Sequence, residues 1–107
     1  MKKFKLYRSP GNLDKDVKKH ELVAVEFGKN IEEVTEDLIK AVEDDLASSP
    51  EYKGCRTGAY APTFVQAHRK VTRYHYEILG IVYPKCASEN ILIDFGIIEE
   101  ECSEWDA

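Results

Sequence analysis

The chain has little with which to build a covalent or metal-held scaffold. Its 107 residues include only three cysteines, Cys55, Cys86 and Cys102, and no C-x-x-C pair. An odd set without close pairing argues against a disulfide framework and suits a reducing compartment. Closed zinc sites normally draw on ligands paired closely in sequence, whereas Cys55, His68, His75 and Cys86 are scattered. No metal and no cofactor are expected. Nowhere do about 18 apolar residues run in succession, so no membrane-spanning helix is expected. The opening "MKKFKLYRSPGN" has lysines but no apolar run of signal-peptide length, and no N-x-S/T sequon occurs. A cytoplasmic protein is the expectation.

Residues 1–107 are the size of one domain, able to fold without staples. The 43% apolar and 10% aromatic content fits a packed globule, and the 33% charged fraction supplies a solvated surface. The net charge of −5 hides strong segregation. Basic blocks at 1–20 and 53–85 alternate with acidic blocks at 21–52 and 86–107, the last of which has no Lys or Arg. Such blocks either neutralise one another within the fold or steer charged partners. Mutual neutralisation is the simpler reading.

Phe4 and Leu6 share a parity in "KKFKLYR", which reads as a short strand stopped by the turn-forming "SPGN" at 9–12. "HELVAVEFG" puts Val23, Val25 and Phe27 on one face and Leu22, Ala24 and Glu26 on the other, a second strand ending at Gly28. Asn30 is a good N-cap with Glu33 three positions on, after which Ile31, Val34, Leu38, Ala41, Val42 and Leu46 recur at helical spacing. "SSP" at 48–50 ends that helix, since Pro50 cannot extend it. Its acidic face reads as a solvated exterior. Residues 51–62 read as a loop, 63–71 as a strand with an alternative helical spacing, and "TRYHYEILGIVYP" and "NILIDFGIIEEE" as strands paired across "PKCASEN". The acidic end, 102–107, is expected to fray.

Three constellations carry candidate chemistry. In the loop 53–60, Gly54 and Gly58 with Lys53, Arg56 and Tyr60 have the makings of an anion site. A P-loop is excluded because Ala59 follows the second glycine. His75 and Glu77, two apart on a strand, share a face suited to acid–base work or ligand binding. Arg69, Lys70 and Arg73 among aromatics have the chemistry of a nucleic-acid surface, but the acidic balance and the lack of a known recognition signature count against it. A cationic bend between strands is the reading taken.

The expected architecture is α+β: an antiparallel sheet of four to five strands with one long helix, about 30–47, on one face, in the order β-β-α-β-β-β. One helix cannot cover both faces, and Leu79, Ile81, Tyr83, Leu92 and Ile98 form an apolar set on the far one. That set points to a non-catalytic binding or regulatory module acting through protein–protein association, as a homodimer or with another protein. The alternatives are a small ligand-binding protein or enzyme with a pocket at Lys53, Arg56, Tyr60, His75 and Glu77, and a nucleic-acid binder using Arg69, Lys70 and Arg73.

Overall fold

The computed structural model describes residues 1–8, 21–64, 74–85 and 88–101. Several sequence expectations lie outside them: the turn at 9–12, residues 65–71, His68, the basic cluster Arg69, Lys70 and Arg73, Cys86, Cys102 and the acidic end. The fold is α+β, with strands β1 (Lys2–Arg8), β2 (Glu21–Gly28), β3 (Arg56–Ala59), β4 (Thr63–Phe64), β5 (Tyr74–Tyr83) and β6 (Ile91–Glu101), and helix α1 (Ile31–Ala47) between β2 and β3. All pairings are antiparallel, in the order β2-β1-β6-β5-β3, with β4 also on β5.

Strand number is six where four or five were expected, because the anticipated loop over 51–62 contains β3. Thr57 and Ala59 alternate inward there, opposite Val82 and Gly80, and Thr57 Oγ1 donates to the helical carbonyl of Glu43 at 3.1 Å. A short 3-10 turn at Pro50–Tyr52 and Gly54, at φ +84°, carry the chain from helix to strand. Only glycine enters that left-handed region at little cost.

The helix begins as its sequence dictates. Asn30 is extended and its side chain accepts from the Glu33 N–H at 3.0 Å, satisfying one of the orphan amides of the first turn. Val34, Leu38, Val42 and Leu46 form its buried stripe. They meet Phe4, Leu6, Ile78, Val82, Phe95 and Ile97 from one face of the sheet, and these ten residues are the core.

Two glycines let the helix come this close. A Cβ on Gly28 would stand 2.7 Å from Val34 Cγ1. One on Gly80 would stand 2.6 Å from Leu46 Cδ1 and 3.0 Å from both Val42 Cγ1 and Phe95 Cε1. Gly80→Ala therefore forces Leu46, and with it Val42 and Phe95, to repack in the closed core and should cost about 1–3 kcal/mol, the usual range for overpacking. Gly58 faces away from the helix with nothing nearer than the Tyr83 ring at 3.5 Å, so Gly58→Ala should stay within about 0.5 kcal/mol of wild type. Urea unfolding of the two variants checks the contrast.

Candidate functional site

Strand β2 departs from simple alternation. Against β1, Gly28, Phe27, Glu26, Val25 and Ala24 oppose Lys2 through Leu6 in turn, but Tyr7 then faces Leu22, leaving Val23 as the extra residue of a bulge. Directly opposed residues share a face, so Ala24 and Glu26 lie with the buried Leu6 and Phe4 on the helix side. Phe27, Val25 and Leu22 lie with Lys3, Lys5 and Tyr7 on the outer side. The sequence parity grouped Val23 with Val25 and Phe27, and Leu22 with Ala24. The bulge reverses both assignments, turning Val23 against the core and adding Leu22 to the outer column. Leu22 and Phe27 are 49% and 47% exposed. Beyond β2 no further strand pairs among the described residues, so among these residues its outer backbone groups form the long unpaired edge of the sheet.

A second feature lies between β3 and β4. The Tyr60 N–H donates to the Leu79 carbonyl at 2.9 Å, and pairing resumes at Thr63 opposite Glu77. The chain between bows away from β5 and leaves an open groove of about 450 Å³, lined by Tyr60, Ala61, Thr63, Glu77 and Leu79. Burial, first, and the neighbouring Asp94 carboxylate raise the Glu77 pKa above its ordinary value, and a hydrogen bond between the two carboxyls adds to the rise. Asp94 sits opposite Leu79 on β6, one position diagonal to Glu77.

The structure thus brings together Tyr60 and Glu77 from the expected ligand set and places Lys53 and Arg56 elsewhere. Lys53 is exposed in the turn before Gly54. Arg56, at the far end of β3, stacks 4.6 Å over the Tyr83 ring. Gly58 sits within β3 opposite Ile81, so the two glycines do not form one anion-binding loop. His75 falls at a bulge of β5, where Tyr74 opposes Ile98 and Tyr76 opposes Ile97. The expected shared face of His75 and Glu77 lies outside the described side chains. Of the outer-face apolar set, Ile81 and Ile98 are already buried in the single chain at 6% and 2% exposure, Leu79 and Tyr83 are half-buried, and Leu92 is 56% exposed. Thr63 was not singled out in the sequence, and parity placed Leu22 on the face opposite Val25 and Phe27. No periodicity signals a bulge, so none could have joined the three.

Charged and polar groups elsewhere are engaged structurally. Tyr76 Oη donates to Glu99 Oε1 at 3.0 Å, and Glu99 Oε2 accepts from Lys2 Nζ at 3.2 Å, tying β1, β6 and β5 together at one end. Burial, with the anion at Glu99, pushes the Tyr76 phenol up to about 12. At the other end Arg8 Nε lies 3.1 Å from Asp45 Oδ2, yet the angle makes this an ion pair by proximity, not an aligned hydrogen bond. Burial raises the Asp45 pKa, and Arg8 only partly opposes it. Among the described residues no three of His, Cys, Asp and Glu group so as to hold a metal ion, and no helix is long and apolar enough to cross a membrane.

Two pH dependences follow. Below pH 10 both native and unfolded Tyr76 are protonated; between 10.0 and about 12 only the native one is, so its stabilising contribution is lost across that interval. An alkaline spectrophotometric titration should show a tyrosine ionising at about pH 12, and Glu99→Gln should lower that value. For Glu77 the raised native pKa means stability that is full in acid and lost as pH rises through the carboxylate range. Glu77→Gln should therefore stabilise the protein at pH 7, the gain shrinking to nothing on acidification, as followed by thermal unfolding at each pH.

No protein-family model, no curated protein and no solved structure matches this chain, so its function has to be argued from the groove, the sheet edge and the charges just described.

Proposed function

We propose that this chain is a non-catalytic binding module that works through protein–protein association, with the outer edge of β2 as its contact surface. The observation that carries the reading is the conjunction of a free strand edge with an apolar column, Leu22, Val25 and Phe27, beside it. Free N–H and C=O groups give an extended partner strand its main-chain hydrogen bonds, and alternate side chains give it specificity. Edges left unused are normally blunted by lysine, proline, brevity, a bulge or an inward-pointing charge. β2 has the last two, at Val23 and Glu26, but is eight residues long without lysine or proline, whereas β3 and β4 at the opposite edge are four and two residues long. The scattered cysteines support a cytoplasmic setting as part of the same proposal.

The groove at Tyr60 and Glu77 supports a second reading, a small-ligand pocket. It is open and holds few convergent polar groups, which favours the first. Peptides selected from a displayed random library against the wild-type protein discriminate the two. Binders should be extended sequences with alternating apolar residues and should lose at least tenfold in affinity for Leu22→Lys or Phe27→Lys. Binders indifferent to both changes, or lost instead on Glu77→Gln, would move the site to the groove.

A further inference from the structure

We infer that the occupant of the β2 edge is the β2 strand of a second copy of this chain, paired antiparallel about a two-fold axis through Val25. The inference rests on the reading of β2 as the contact surface and names its partner.

Register is the argument. Counted by its β1 neighbours, the strand runs Gly28, Phe27, Glu26, Val25, Ala24, Leu22, Glu21, opposite Lys2 through Arg8. Because Val23 drops out of this count, Val25 stands at its centre with three positions on each side. A two-fold axis there sets Val25 against the partner's Val25 and Phe27 against the partner's Leu22. It also sets Glu26 against the partner's Ala24 and Gly28 against the partner's Glu21. Each opposed pair shares a face, as an antiparallel ladder requires. The two large exposed apolar side chains meet each other twice, and no carboxylate opposes another. Without the bulge Leu22 would point to the helix side and the match would fail.

Charge supports self-pairing as well. The strand's two acids face Ala and Gly, and Lys29, the residue after Gly28, comes next to the partner's Glu21. Like charges directly across a ladder are destabilising, so the absence of such a pair is what a self-associating edge needs. The outer column is flanked by Lys3, Lys5 and Tyr7, whose stems and ring extend the apolar contact while their polar tips stay in water. A single added strand pair lies at the small end of specific interfaces, so association should be of order 10–100 µM and not tighter.

The test uses a charge exchange that only this register can satisfy, read by sedimentation equilibrium from low to high protein concentration. Wild type should show a monomer–dimer equilibrium. Leu22→Glu and Phe27→Lys, each alone, should weaken it at least tenfold by placing a charge against an apolar partner. Combined in one chain, they set the new carboxylate of each subunit opposite the new ammonium of the other, and dimerisation should return to within about threefold of wild type. The restored dimer should weaken with added salt more steeply than the wild-type dimer. Both side chains are half exposed, so folding should persist. Amide exchange gives a second readout without mutation, since outward β2 amides should exchange more slowly as wild-type concentration rises.

A wild type that stays monomeric, or a double variant no better than the singles, overturns the dimer. In that event, peptide binding lost on Leu22→Lys would leave β2 as the contact surface with a different partner. A dimer indifferent to positions 22 and 27 overturns both readings.

Discussion

The distance between helix and sheet is the constraint on which the rest of this structure depends, and two missing Cβ atoms set it. Val34 packs into the space over Gly28, and Val42 and Leu46 into the space over Gly80. With the helix lowered at both ends of its buried stripe, helix α1 and the six described strands enclose Phe4, Phe95 and the aliphatic side chains between them. The same closeness leaves Glu26 and Asp45 partly desolvated beneath or beside the helix. Both carboxyls are consequently harder to ionise than usual.

The two sides of the sheet are built for different purposes. On the helix side, pairs such as Tyr76–Glu99–Lys2 and Arg8–Asp45 close the ends of the core. On the outer side, Lys5 reaches Glu100 at 3.2 Å and Arg56 covers Tyr83, so basic residues of early strands lie over acidic or aromatic residues of late ones. The charge blocks of the sequence thus meet within the fold where β1 lies against β6. The acids Glu32, Glu33, Glu36 and Asp37 of α1 are exposed, and no ion pair joins them to a basic side chain among the described residues.

Much of the framework was legible because local rules and tertiary packing agree. The helix announced both its ends through Asn30 and Pro50, and the alternation of Ile78 and Val82 with Ile93, Phe95 and Ile97 gave the buried faces of β5 and β6. What escaped was everything that depends on a break in alternation. Parity arguments carry through a strand only while the ladder is regular, and the extra residue at Val23 reverses every assignment beyond it. β3 was missed because Arg-Thr-Gly-Ala is a weak strand former by propensity, held in place by its pairing to β5 and by Thr57 on the helix. The burial of Ile81 and Ile98 on the outer side has no local signature at all.

Strand order has a consequence for how the chain acquires its structure. The N-terminal hairpin β1–β2 joins the remaining strands only through β6, the last strand in the sequence, which lies between β1 and β5. During synthesis the inner edge of β1 waits for β6, a segment some ninety residues later. Contacts of such separation close slowly because loop entropy is lost before packing compensates for it. Until β6 arrives, the nascent chain carries two open strand edges on the same hairpin. Its safety then rests on the lysines of β1, which make one of those edges unattractive to anything but the acidic strand it awaits.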